Sequence, residues 1–332
     1  MEPLVSVCCI TYNHEKYITE AIESFLMQET DFPFEIIIHD DASTDKTANI
    51  IKEYELKYPD IIKPIYQTEN QYSKGKRITF EYVFPKVTGK YIAFCEGDDY
   101  WIDKNKLQKQ VDFMEKNSEF SMCFHAVKGV DTAGNFSGRY LGPYKDGNRI
   151  YTLKDNIKGG FTHLSSIVMR SKLIENGMPS WAFYSRHGDY ALTLFLSANG
   201  KTFFIDRIMS HHRYGVEGSL MTEIKKNYSV DSDINYQIQR IETLEMADKY
   251  YSYKYHDEIE IVNLISKVII LLLESDYSST ARRMYKKYVN QHGLISFIKI
   301  FLLKKCPTLA KLLVKIKDII SITSENGELD GP

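Results

Sequence analysis

The chain has 332 residues, 43% hydrophobic and 26% charged, with a formal net charge of -2. That composition fits a soluble globular protein of about two domains, or one with a large extension, and excludes intrinsic disorder and general polyanion or nucleic-acid binding. Five cysteines, Cys8, Cys9, Cys95, Cys123 and Cys306, show no paired spacing, which disfavours a disulfide framework or cysteine-rich zinc site and fits a reducing cytosol.

Met1-Glu2-Pro3 lacks the basic flank and apolar stretch of a signal peptide. No apolar run nears the ~18 to 20 residues that span a bilayer, so a cytoplasmic location is expected. Leu4 to Ile10 reads as a buried strand, followed by an amphipathic helix through Ile18, Ile22, Phe25 and Leu26. Phe34 to Ile38 is a second strand ending at His39-Asp40-Asp41. Ser43 is placed to cap the next helix, which carries Ala48, Ile51 and Tyr54. Ile61 to Tyr66 and Tyr91 to Cys95 are further strands, the latter ending at Glu96-Gly97-Asp98-Asp99. A helix with Leu107, Val111 and Met114 on one face follows. Strands alternating with helices predict an α/β fold, a doubly wound, mostly parallel sheet with ligands at the carboxyl ends of its strands.

From Phe120 to Gly218 the pattern is more mixed. Strands are expected at Phe120 to Val127, Leu164 to Arg170, Thr202 to Asp206 and Ser210 to Tyr214, with a helix from Asp189 to Leu196 stopped by Gly200. Beyond Thr222 the chain reads as helices broken near His256, Tyr277, Gly293 and Pro307. Ten basic residues and no Asp or Glu lie between Tyr277 and Lys317, leaving the remainder at -12. Leu294 to Leu303 and Leu309 to Ile320 interleave apolar residues with lysines. Such faces suit either a helix in a membrane interface or packing against the catalytic domain or another subunit.

Glu96-Gly97-Asp98-Asp99 is the strongest local signal. Three carboxylates within four residues repel one another unless a cation or donors compensate. At a strand end they suit a hard divalent ion bridging a nucleotide diphosphate, or else an acidic turn before a helix. Asp40-Asp41 through Asp45 forms a second acidic strand end, beside Thr11-Tyr12-Asn13. No Gly-x-Gly-x-x-Gly follows the first strand and no phosphate-loop signature occurs, so a dehydrogenase is disfavoured.

Val5-Ser6-Val7, Thr11-Tyr12-Asn13, Glu35 through Asp45, Gly89 through Trp101 and Lys106 through Gln110 together resemble family-2 glycosyltransferases. The likeness covers about residues 3–215 and is nearest to bacterial members that build capsule, O-antigen or other surface glycans. It implies the inverting GT-A fold over residues 1–220, with a nucleotide-sugar half at about 1–118 and an acceptor half at about 119–220. A helical region with the basic amphipathic tail would occupy 221–332.

By the same resemblance Tyr12 and Asp41 contact the donor base, Thr11 and Asn13 shape that loop, and Glu96, Gly97 and Asp98 meet the nucleotide sugar. Asp98 and Asp99 hold Mn2+ or Mg2+, His212 joins as a ligand, and Arg77 and Arg213 face the diphosphate. Asp189 is the catalytic base, although a lone Asp there would otherwise be read as a helix cap. His163 and Trp181 are candidates for the acceptor pocket. The implied partners are a nucleotide-sugar donor, with UDP expected, and a glycan or lipid-linked acceptor at the inner face of the membrane, contacted through 294–320. A homo-oligomer is left open. A metal-dependent nucleotidyltransferase and an inactive glycan-binding protein with this fold are the competing readings.

Overall fold

In the computed structural model, residues 2–159, 162–185, 188–219, 222, 223, 226 and 229–274 are described. The basic segment 277–317, the tail 294–320, Cys306 and His187 lie outside the described residues. In chain order the first strands are Val5–Thr11 (β1), Phe34–Asp40 (β2), Ile62–Tyr66 (β3), Tyr91–Phe94 (β4) and Tyr100–Trp101 (β5). They are followed by Phe120–Val130 (β6), Phe136–Leu141 (β7), Arg149–Tyr151 (β8), Val168–Arg170 (β9) and Lys201–Arg213 (β10).

β1 is buried on both faces except at Ile10, as a central parallel strand must be. It pairs in parallel with β2 and β4, and β2 with β3. The helix Ile18–Leu26 (α1) packs Ile18, Ile22 and Phe25 onto this sheet, and Thr47–Lys57 (α2) packs Ile51 there. Lys106–Lys116 (α3) adds Leu107, Val111 and Met114 to the same core. Beyond β4 the sheet turns mixed. β9 runs antiparallel to β4 and β6, whereas β6 and β10 are parallel. The full order is β3-β2-β1-β4-β9-β6-β10-β5, with β7 on β6 and β8 on β10. The fold is therefore the expected α/β architecture, parallel where the acidic strand ends lie and mixed beyond.

Three local expectations are corrected. Thr202 to Asp206 and Ser210 to Tyr214 are one strand, β10, because the charged Asp206-Arg207 step takes a bulge rather than a turn. Asp206 there accepts the amides of Lys145 and Gly147. Leu164–Ser166 is a 3-10 turn rather than strand, closed by the His163 side chain accepting from the Ser165 amide. Ser43 does not cap α2: its hydroxyl accepts the Asn13 amide, and Asp45 takes the Thr47 amide instead.

Short helices Leu153–Ile157 (α4) and Ser180–Tyr184 (α5) precede Gly188–Ala198 (α6). Contacts separate one unit, Met1–Tyr228 with Lys249–Ser252, from a second, Ser229–Asp248 with Tyr253–Pro332. The second unit holds most of the helix Val230–Tyr250 (α7) and all of His256–Glu274 (α8), with His256 hydrogen-bonded to Asp248 at 2.7 Å. Among the described residues no helix is long and apolar enough to cross a membrane.

Lys106, the first residue of α3, is fully buried, with its Nζ 4.1 Å from the Trp101 ring centroid and no hydrogen-bond partner among the described residues. Burial pulls its pKa down to about 7. An unfolded lysine keeps its proton to about pH 10.4, so between these values the unfolded chain binds more protons and this group's contribution to stability rises with pH. Lys106→Met should raise the melting temperature by about 2–5 °C at pH 6, with the gain shrinking towards pH 10. A lower melting temperature at pH 6 would contradict this account.

Candidate active site

The site is assembled by the pairing of β5 with β10. Tyr100 pairs with His211 and Trp101 with Ser210 in antiparallel register, which sets Asp99 opposite His212. The fully buried Asp99 carboxylate takes His212 Nδ1 at 3.0 Å and the Arg213 amide at 3.0 Å. Side chains alternate along a strand, so Arg213 points the other way from His212. Its guanidinium donates to the Asp98 carbonyl, pairs with Glu20 and lies over the Tyr17 and Tyr100 rings. Arg213 is 5% exposed. The expected phosphate contact is thereby corrected: Arg213 clamps the Glu96–Asp99 turn from behind.

His163 also moves from its expected place. Its Nε2 lies 3.9 Å from Asp99 and its ring 4.4 Å from that of His212. It stands with the carboxylates rather than in a separate acceptor pocket. The other acceptor candidate, Trp181, is 2% exposed and packs near Tyr250 and Tyr251. A ring so enclosed has no free face for a sugar, and it belongs to the core.

Gly97 lets two strand ends meet. A Cβ there would lie 2.6 Å from Thr11 Oγ1, 2.7 Å from Thr11 Cβ and 3.0 Å from His14 Nδ1. Thr11 is buried beneath it. His14, which sequence reasoning missed as a site residue, places Nε2 3.9 Å from Asp98. Its only sequence signal was a position directly after the Thr-Tyr-Asn strand end. Asn13 adopts a φ of 56° and accepts the Thr44 amide, tying the β1 and β2 loops together. Tyr12 is 38% exposed, so its ring is free to stack. Asp41 is buried and accepts the amides of Gln71 and Tyr72, anchoring the loop that leads to Arg77.

Asp189 lies in the first turn of α6 with an exposed side chain, and no donor reaches its carboxylate among the described residues. It nevertheless sits deep enough among protein atoms for burial to raise its pKa, with His212 opposing. Its side chain is accessible to solvent yet close enough to Glu96 and His212 to feel their charge. Glu96 is pushed well above the carboxylate range by burial and then by Asp98, Asp189 and Asp99. Burial and Asp99 raise Asp98, against His14 and His212. Burial would raise Asp99 as well, but His212, His163 and the Arg213 amide together hold it below its usual value. Burial lowers His212, yet Asp99, Asp98 and Asp189 bring it above an ordinary imidazole. Four carboxylates thus converge, compensated among the described residues by imidazoles and a few backbone amides, the electrostatic setting of a cation seat. Asp99, His163 and His212 each bring a ligand atom within 4.8 Å of the others.

The model of glycosyl transferase family 2 matches residues 6–177. An uncharacterized glycosyltransferase of Methanocaldococcus jannaschii is 32% identical over 232 residues, 68% of this chain and 76% of its own length. The chain belongs to glycosyl transferase family 2. An uncharacterized protein of Mycobacterium tuberculosis is 32% identical over 231 residues, 67% of this chain. The match spans 63% of that relative's length. Staphylococcus aureus TarS, residues 1–349 in complex with UDP-GlcNAc, shares the fold with a TM-score of 0.54 over 90% of each chain at 19% identity. A mannosyltransferase from Pyrobaculum calidifontis, in complex with GDP-Man and Mn2+, gives 0.51 over 99% of this chain and 89% of its own at 14% identity. The fold is the GT-A fold.

Close approach at Gly97 yields a direct test. Thr11 has no room to retreat, so Gly97→Ala should lower stability by about 1–3 kcal/mol, the usual range for overpacking, in thermal or urea denaturation. An unchanged transition would contradict the packing described.

Proposed function

We propose that this chain is a metal-dependent, inverting glycosyltransferase that moves a sugar from a UDP-sugar to a hydroxyl of a glycan or lipid-linked glycan during surface-polysaccharide synthesis. The observation that carries the reading is the convergence of Glu96, Asp98, Asp99 and Asp189 with His212 on one cleft of a GT-A fold. The family and the nucleotide-sugar complexes of its structural neighbours support it. Residues 1–220 are the catalytic domain in this reading, 221–332 are a helical C-terminal region, and its basic stretch 294–320 either contacts the membrane or packs on the catalytic domain or another subunit.

The donor set fits a divalent ion: carboxylate oxygens for Mg2+ or Mn2+ and an imidazole that suits Mn2+. Asp98, Asp99 and His212 would hold it. When bound, such an ion neutralises charge on the departing diphosphate. Tyr12 stacks on the base and Asp41 accepts from a uracil N–H while keeping its loop in place. Asp189 takes the proton of the acceptor hydroxyl as that oxygen bonds to the anomeric carbon. The bond from that carbon to the diphosphate oxygen breaks on the opposite side, so configuration inverts. Glu96 lies close enough to Asp189 for the two carboxylates to repel each other.

Asp189→Asn keeps the size but removes the base, so sugar transfer, or hydrolysis where water is the acceptor, should fall ~10²-fold or more. UDP binding by calorimetry should persist. Transfer at the unaltered rate would place the base elsewhere.

The pH profile is a second check. Burial keeps Asp189 protonated to higher pH than a free carboxyl, and only the deprotonated form accepts a proton. The rising limb of kcat/KM should therefore lie above the ordinary aspartate value of about 3.9, and Asp189→Asn should abolish it. A limb at the ordinary value would contradict the assigned environment.

A further inference from the structure

His163 was expected at the acceptor, but its surroundings are those of a metal ligand. Its Nδ1 lies 2.9 Å from Ser165 Oγ, which is 3.0 Å from Ser210 Oγ. Ser165 is itself fixed by Trp101 Nε1 donating to its carbonyl at 3.1 Å. Nδ1 also accepts the Ser165 amide at 3.3 Å, so the contacts with Ser165 hold the ring and leave Nε2 as the nitrogen that faces Asp99. Ligating histidines are commonly oriented through the other ring nitrogen in this way.

The spacing also fits. His212 Nδ1 to Asp99 is 3.0 Å and His163 Nε2 to Asp99 is 3.9 Å. Ligand atoms bonded at about 2.1 Å around one first-row ion sit roughly 3.0–3.5 Å apart, so the His163 contact need close by only a few tenths of an ångström. Asp99 is wholly enclosed, whereas the His163 and His212 side chains keep 16% and 13% exposure. The imidazoles thus form the edge of the cluster that opens to the cleft.

We propose that His163 joins Asp98, Asp99 and His212 as a further ligand, giving the seat two imidazoles beside its carboxylates, and that this donor set makes the site select Mn2+ over Mg2+. Mg2+ prefers oxygen ligands and retains its waters, whereas imidazole nitrogens suit transition ions. The inference rests on the metal-dependent reading of the same cleft, but concerns which ion the chain's own residues choose.

The test uses the full chain and the metals alone. Calorimetry with MnCl2 and MgCl2 should show Mn2+ binding at least about tenfold tighter than Mg2+, and His163→Asn should weaken Mn2+ by about tenfold or more while leaving Mg2+ nearly unchanged. Pulsed electron paramagnetic resonance of the Mn2+ complex should show coupling to two imidazole nitrogens, reduced to one in the variant. Should His163→Asn fail to fold, the coupling in the unaltered protein still decides. One imidazole, equal Mn2+ and Mg2+ affinity, or an unaffected variant would overturn the proposal. Two imidazoles on Mn2+ without any UDP-sugar hydrolysis would support the seat while refuting the transferase reading.

Discussion

A single buried carboxylate joins the nucleotide end of the sheet to its far strand. Asp99 leaves the turn after β4, and its oxygens take the His212 imidazole and the Arg213 amide from β10. An ionised group fully withdrawn from water is tolerated only when its lone pairs are met. The Asp99 partners therefore fix the register of β5 on β10. That register decides which side of the strand His212 and Arg213 take. One side chain then faces the cleft and the other braces the turn.

The cleft built this way stores unfavourable charge. Glu96, Asp98, Asp99 and Asp189 act on one another, and His14, His163 and His212 offset them incompletely. A folded chain that spends stability on such crowding gains when a cation arrives, because each carboxylate then relaxes towards its ionised form. The Thr11 hydroxyl and His14 Nδ1, both buried beside Gly97 and without a hydrogen-bond partner among the described residues, belong to the same polar floor. Lys106, buried nearby in sequence without a hydrogen-bond partner among the described residues, marks a separate cost.

Much of this was legible in the sequence because the informative residues sit in short runs at strand ends. Thr11-Tyr12-Asn13, Asp40-Asp41 and Glu96 through Asp99 each announce themselves locally. What the sequence could not show were relations across distance. Asp99 and His212 are 113 positions apart, and only strand register reveals that they touch. Arg213 read as a phosphate ligand because its alternation relative to His212 depends on the same register. Trp181 looked like a sugar platform because composition does not report enclosure. His14 and His163 gain meaning only from the loops and turn that Asn13 and Ser165 hold. Asp189 stood out through family likeness, and the structure adds that its carboxylate is free of a capping role among the described residues.

The claim that the crowded carboxylates form a seat for a cation bound together with a nucleotide diphosphate is tested most directly by calorimetric titration of UDP. UDP affinity in Mn2+ should exceed that in EDTA by at least about tenfold, or ~1.4 kcal/mol. The same affinity in EDTA as in Mn2+ would contradict the account, because the carboxylates would then repel the diphosphate with nothing between them.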